Sequence, residues 1–439
     1  MSKLHRIVVV GAGAGGLELA TRLGDRLGRR NQATITMLDA QRRHLWKPLL
    51  HEVAAGTIDP AEHALSLLAH ARKHHLRFRI GRLESIDREQ QVVWLAPTSN
   101  EFDKKIIPRR SFSYDTLVIA VGSVSNDFGI PGVAEHCWFL DSFSEAEQFQ
   151  RRLLEMLLFR STGKCLQEPI DRTLDVAIVG AGATGVELAA QLHHVTRQLS
   201  QYGLDALIPE QHIRINLLEA GPRILPALPE CMSIEVSAEL ESLGVCVLTD
   251  CRVTEVTESG IQTSTDTFLP ATIKVWAAGI RGPDCLADLD SLETNRVHQL
   301  KVGKDLLTTV DKNIYAIGDC AACPLGDHGE WVPPRAQAAH QEAQFVAQAI
   351  ERRIHGRPAK GQYVYHDYGS LVTLGHYSTV GNLMGRITGK VRVSGWIARM
   401  VYLSLYKMHQ VALHGWMRTS ALSLANLLRR SVNPQIKLH

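Results

Sequence analysis

Two short glycine-rich stretches carry the residue types able to grip a phosphate. Gly11-Ala12-Gly13-Ala14-Gly15-Gly16 and Gly180-Ala181-Gly182-Ala183-Thr184-Gly185 both show the G-x-G-x-x-G spacing. In that pattern the first glycine permits a tight turn and the second lets a pyrophosphate approach the backbone. The third lets the following helix pack close to the preceding strand. The phosphates then sit on unpaired N–H groups at a helix start. An acid at the end of the next strand accepts hydrogen bonds from a ribose. Asp39 stands 23 residues after Gly16, and Glu219 stands 34 residues after Gly185. A carboxylate there favours NAD over NADP, because it repels a 2′-phosphate; Arg223, four residues on, argues the other way.

The elements needed to position these residues are legible around them. Ile7-Val8-Val9-Val10 and Val176-Ala177-Ile178-Val179 are apolar runs of the length expected for buried parallel strands. Leu17-Glu18-Leu19-Ala20 and Val186-Glu187-Leu188-Ala189-Ala190 continue each glycine loop with helical character. Thr34–Leu38 and Ile213–Leu218 are the strands that deliver the two acids; residues Tyr202 to Glu210 look like an insertion that lengthens the second spacing. The strands Tyr114–Val121 and Ile273–Ala278 each end in a small residue, Gly122 and Gly279, as needed where the chain crosses a bound nucleotide. The expected fold is α/β with two Rossmann-like dinucleotide-binding domains. Two such units in one chain suggest two dinucleotides held face to face, NADH as donor and FAD as relay, since a flavin accepts a hydride and passes electrons on singly.

Composition narrows the class. At 439 residues the chain is too long for one ordinary domain. With 45% hydrophobic and 21% charged residues it is globular rather than disordered. The net charge of +3 conceals an asymmetry: residues 369–439 hold nine Lys/Arg and no acid, so the preceding body carries 39 bases against 45 acids. Eight cysteines are too sparse for a disulfide scaffold and lack zinc spacing. The pair Cys320–Cys323 reads as two small packed residues, with a redox or metal pair as the alternative. His70, His74 and His75 read as surface or packing residues, and no metal site is expected. The N-terminus enters a strand within six residues, which leaves no room for a cleavable signal. No run of about 18 uncharged apolar residues is present. A reducing, cytosolic setting fits these features.

In the basic tail, Trp396–Lys407 and Trp416–Arg430 interleave apolar residues with bases. On the second segment Trp416, Met417, Ala421, Leu424, Leu427 and Leu428 share a helical face, with Arg418, Thr419, Ser423 and Asn426 elsewhere. That composition suits an interfacial anchor on an anionic membrane; a core-packing or dimer-forming helix is the alternative. No nucleic-acid reader motif accompanies the bases, so nucleic acid is not an expected partner.

Glycine loops alone leave the electron acceptor open, and more specific stretches address it. Asn313-Ile314-Tyr315-Ala316-Ile317-Gly318-Asp319 resembles the flavin-binding signature of two-dinucleotide-binding-domain flavoproteins, which implies that Asp319 binds the ribityl and phosphate region. The segment His44-Leu45-Trp46-Lys47-Pro48-Leu49-Leu50-His51-Glu52-Val53 lacks the redox cysteine pair of disulfide reductases. Together with Gly318-Asp319-Cys320, Pro333–Gln341 and Tyr402–Gln410 it resembles the type II, single-subunit, non-pumping NADH:quinone oxidoreductases over essentially the whole chain. The resemblance implies FAD as bound cofactor, NADH as substrate, a quinone as acceptor, and a peripheral site on the cytoplasmic face of the inner membrane. It further implies that Lys47 belongs to the cofactor site. Gln337 and Gln341 would border flavin and quinone, and Glu187 would lie beside flavin and nicotinamide, orienting the ring and handling protons. His340 stays unassigned. The expected organisation is an FAD domain in two parts, residues 1–130 and 293–368, an NAD domain at 131–292, and a membrane-associating region at 369–439. A soluble NADH-dependent reductase of a protein acceptor is the alternative.

Overall fold

The computed structural model describes residues 4–99, 105–162, 173–201, 213–326, 329–359, 361–375, 379–385 and 389–430. The insertion expected at Tyr202–Glu210 lies outside them. The chain opens with β1 (His5–Val10), α1 (Ala14–Leu23), β2 (Ala33–Asp39), α2 (Leu50–Ala55), β3 (Arg77–Ile80) and β4 (Thr116–Ile119). It leaves this unit through β5 (Val124–Ser125). The second unit runs β6 (Trp138–Phe139), α3 (Phe143–Thr162), β7 (Leu174–Val179), α4 (Ala183–Gln201), β8 (Ile213–Leu218), α5 (Glu230–Ser242), β9 (Val245–Leu248) and β10 (Ile273–Trp276). Strand β11 (Ile280–Arg281) pairs antiparallel with β5 and brings the chain back. Strand β12 (Ile314–Ala316) and α6 (Ala336–Ile354) then complete the first unit.

The two central sheets repeat one plan. The first has the order β12-β4-β1-β2-β3 and the second β6-β10-β7-β8-β9, every pairing parallel. Buried on both faces, the central strands carry apolar runs: Ile7, Val9, Leu117, Val118, Ala177 and Ile178 are fully inaccessible. Each sheet has its own hydrophobic core.

One expected boundary shifts. The chain returns to the first unit at β11 rather than at residue 292, because Leu286, Leu289 and Leu292 pack into the first core. The region from 369 opens with a three-stranded antiparallel sheet, β13 (Gly369–Thr373), β14 (Thr379–Gly385) and β15 (Gly389–Ser394), ahead of the segments read as amphipathic. Only then come α7 (Gly395–His414) and α8 (Trp416–Arg430). The tail is tied to both units: Val372 and Leu374 join the second core, while Leu413 joins the first. Among the described residues no helix is long and apolar enough to cross a membrane.

Candidate functional site

The two glycine loops have the same geometry. Gly11 N–H donates to the Leu38 carbonyl at 2.7 Å, and Gly180 N–H to that of Leu218 at 2.8 Å. Gly11 and Gly180 have φ of +101° and +100°, where a side chain is strained. A Cβ at Gly16 would fall 2.0 Å from the Gly11 carbonyl oxygen, and one at Gly185 would fall 2.0 Å from that of Gly180. By contrast, nothing lies within 4 Å of where a Cβ would stand on Gly13 or Gly182. The first and third glycines are thus required by the protein's own packing. The middle one faces open space that a pyrophosphate can enter, so both loops fit a dinucleotide.

The acids stand where expected, and each also braces its loop. Asp39 accepts from Ala12 N–H at 2.5 Å and Gln41 N–H at 2.6 Å. Glu219 accepts from Ala181 N–H at 2.9 Å and Gly221 N–H at 3.0 Å. Every carboxylate oxygen keeps a lone pair for a ribose hydroxyl. Arg223, which sequence alone set against NAD, is turned away. Its guanidinium donates to the carbonyls of Pro226 and Leu228 and to Ser233 Oγ, so it is spent inside its own loop.

Lys47, Gly122 and Asp319 meet around Ser123. Lys47 Nζ donates to the Ser123 carbonyl at 2.9 Å and lies 3.4 Å from Asp141 Oδ1, while Ser123 Oγ donates to Asp319 Oδ2 at 2.9 Å. Next to Asp319, Gly318 N–H donates to the buried Glu342 at 2.6 Å. Burial pushes the Glu342 carboxyl up to about 8. Sequence reasoning missed Glu342, although an acid inside the stripe Ala338, Ala339, Ala343 and Val346 is itself a signal. Gly279 lies against Phe128, whose ring a Cβ there would strike, and its carbonyl accepts from Asn126 N–H at 3.3 Å beside the crossing strands.

Strand β13 gathers the remaining expected residues. Gln337 donates to Asp367 Oδ1 and the Gly369 carbonyl and accepts from Tyr368 N–H at 3.1 Å. Gln341 forms a two-bond clasp with the His366 backbone, at 2.8 and 2.9 Å. The two amides do share a helix face, as the i, i+4 spacing requires, but they grip the segment leading into β13. Four residues on, Glu187 accepts from Thr373 N–H at 3.0 Å. The Gln pair and Glu187 therefore hold opposite ends of one strand, about 13 Å apart at extended rise. Glu187 is 6% exposed, and burial pushes its carboxyl up to about 8.

His340 pairs with Glu18 at 2.6 Å, and Glu18 also binds Arg22. Cys320 and Cys323 are buried, and burial pushes both thiols up to about 12, which makes them packing residues rather than reactive thiols. His70 and His74 are buried and stacked at 4.3 Å, whereas His75 is exposed. Among the described residues no group of three His, Cys, Asp or Glu can hold a metal. The distinctive sequence stretches pack on one another: His44 donates to the Ala12 carbonyl of the first glycine loop and meets His409 at 3.0 Å, and Trp46 lies 5.3 Å from Tyr406.

Known proteins resemble this chain over most of its length. Residues 5–343 match the pyridine nucleotide-disulphide oxidoreductase family. The chain is 43% identical to the type II NADH:quinone oxidoreductase of Haemophilus influenzae, across 99% of this chain and 100% of that protein. The type II NADH:quinone oxidoreductase Ndh of Mycobacterium tuberculosis is 30% identical, across 92% of this chain and 83% of that one. In three dimensions, NDH2 from Plasmodium falciparum in complex with NADH superposes with a TM-score of 0.82 at 20% identity, covering 99% of this chain and 100% of that chain.

Proposed function

The chain belongs to the type II NADH:quinone oxidoreductase family, and on that premise we propose that it oxidises NADH and reduces a membrane quinone with FAD as the relay. The observation that carries this reading is the full-length identity to such an enzyme, joined to two complete dinucleotide cradles in one chain. Bound FAD supplies the chemistry of accepting a hydride and releasing electrons to the quinone.

The protein's own contribution is binding, orientation and protons. The first loop, through Gly11, Gly13 and Gly16, takes the FAD pyrophosphate, and Asp39 takes its ribose. Asp319, fixed by Ser123 and by the Glu342–Gly318 bond, takes the ribityl and phosphate end, with Lys47 and Gly122 beside it. Gly180, Gly182, Gly185, Glu219 and Gly279 take NADH. Holding the donor ring in a near-attack geometry is the main catalytic gain. Gln337 and Gln341 fix the strand that borders the quinone. Glu187 is neutral near pH 7, so it can stand beside an electron-rich ring without repulsion and can give up a proton.

Helix α8 supports a membrane-surface site, on the cytoplasmic face where NADH is available. Trp416, Met417, Leu424 and Leu428 are between 60% and 71% exposed, while Thr419 is buried against Gly415. The helix therefore turns its apolar side outward, the reverse of a soluble surface helix. The exposed Arg418 lies on the same helix, to engage anionic headgroups. The test is NADH oxidation by the purified holoenzyme with and without a short-chain quinone. Quinone-dependent turnover is expected, and turnover only with an iron–sulfur protein would refute the reading.

A further inference from the structure

The segment after β2 and the C-terminal helix α7 meet in a bond between two histidines, and the far end of that bond is the first glycine loop. His44 Nε2 lies 3.0 Å from His409 Nε2, and His44 Nδ1 lies 2.7 Å from the Ala12 carbonyl oxygen. Both rings are buried, and Trp46 stacks on His409 with its ring 6.1 Å away at an interplanar angle of 18°. Burial keeps both imidazoles neutral, with His44 pushed down to about 4 and His409 to about 3. Their tautomers then follow from their partners. A carbonyl can only accept, so the His44 proton is on Nδ1 and its Nε2 carries a lone pair. The two rings can bond only if His409 donates from its own Nε2. Without that donor the His44 proton is free to move to Nε2, and the Ala12 carbonyl, on a buried residue, loses its partner.

Ala12 is thus gripped on both sides. Asp39 accepts from its N–H at 2.5 Å, and His44 donates to its carbonyl. In a planar trans peptide the C=O and the following N–H point in opposite directions. Fixing the Ala12 carbonyl therefore fixes the Gly13 N–H, on the residue that caps α1 and borders the open space of the first cradle. We propose that His409 is a positioning residue for the flavin: it sets the His44 tautomer, and through it the loop that takes the FAD pyrophosphate. The proposal rests on FAD occupying the first cradle. It ties flavin retention to the tail, because His409 belongs to α7. One turn earlier on that helix, Tyr406 also meets the first unit, stacking near Trp46 and bonding His63 at 3.1 Å.

The test follows FAD release as the rise in flavin fluorescence on diluting the holoenzyme. His409→Ala is expected to speed release roughly tenfold, the order of one lost buried hydrogen bond. His409→Gln, whose Nε2 amide still donates, should restore the wild-type rate. His44→Asn keeps an N–H where Nδ1 stands and no longer needs its neighbour, so adding His409→Ala in that background should change nothing further. Wild-type release from His409→Ala would overturn the proposal. Equal acceleration in both backgrounds would overturn it too, since a packing defect acts regardless of what stands at His44. If His409→Ala fails to fold, His409→Met, which fills the space without donating, is read in its place. Heteronuclear NMR of the wild-type holoenzyme checks the tautomers without a substitution: protons on His44 Nδ1 and His409 Nε2 are expected, and the reverse assignment overturns the proposal. A wild-type chain that binds no FAD would instead overturn the proposed function.

Discussion

Replacing Glu187 by glutamine keeps an acceptor for Thr373 N–H but removes the group that ionises. Folded, the carboxyl titrates near 8; unfolded, it returns to its ordinary value of 4.5. A group whose folded value is raised contributes stability that is fully present below the unfolded pKa. That stability is lost as pH rises through the folded one, at about 1.4 kcal/mol per pH unit between them. The wild-type chain should therefore forfeit less than about 1 kcal/mol near pH 5, about 3 kcal/mol at pH 7, and about 5 kcal/mol above pH 8. The glutamine variant does not incur this loss. Glu187→Gln is thus expected to melt several degrees above wild type at pH 7 and by a wider margin at pH 8.5. The gap should nearly close at pH 5, even as quinone reduction fails. Thermal unfolding followed by circular dichroism at the three pH values reads this out. A variant no more stable than wild type at pH 7, or a gap that does not grow with pH, would refute the claim that a neutral, buried carboxyl is held there for its proton.

Other substitutions test the cradles and the anchor. Gly13→Ala, at a residue with extended backbone and open space beside it, should fold normally yet lose flavin, measured as the flavin-to-protein absorbance ratio. Gly16→Ala drives a Cβ into the Gly11 carbonyl and should cost folding itself, seen as loss of soluble protein. Glu219→Ala frees the Ala181 and Gly221 N–H groups and removes the charge that opposes a 2′-phosphate. The KM for NADH should rise and the preference over NADPH should narrow; an unchanged ratio would contradict the assignment. Trp416→Ser with Leu424→Ser removes two exposed anchors worth roughly 1.5–3 kcal/mol each when buried in lipid. Binding to anionic vesicles should fall at least tenfold in a flotation assay, with turnover on a water-soluble quinone retained.

Much of the site was legible because its grammar is local. A glycine loop, its flanking strand and the acid of the next strand lie within a few dozen residues, so spacing alone located Gly11 to Asp39 and Gly180 to Glu219. Long-range pairings were not legible. Gln337 and Gln341 were recognisable as a helix-face pair, but that they clasp residues 366–369 depends on where the tail returns. The sheet at 369–394 went unread because its strands pair with one another across turns and are held by Gln337, Gln341 and Glu187 from far along the chain. The return at Ile280 rather than 292 follows from Leu286, Leu289 and Leu292 completing the first core, which local pattern does not reveal. Glu18, Glu187 and Glu342 share a signal that local reading underused: an acid in an apolar helical stripe must be paired, bonded or neutral. Glu18 is paired with Arg22, whereas Glu187 and Glu342 are bonded to backbone N–H groups and held neutral by burial.

The central claim, one chain that carries electrons from NADH to quinone through a bound flavin, is tested most directly by double-mixing stopped flow under anaerobic conditions. NADH added first should abolish the visible flavin absorbance of the holoenzyme, and a short-chain quinone added next should restore it within the time of one turnover. Bleaching by NADH that quinone cannot reverse would contradict the account.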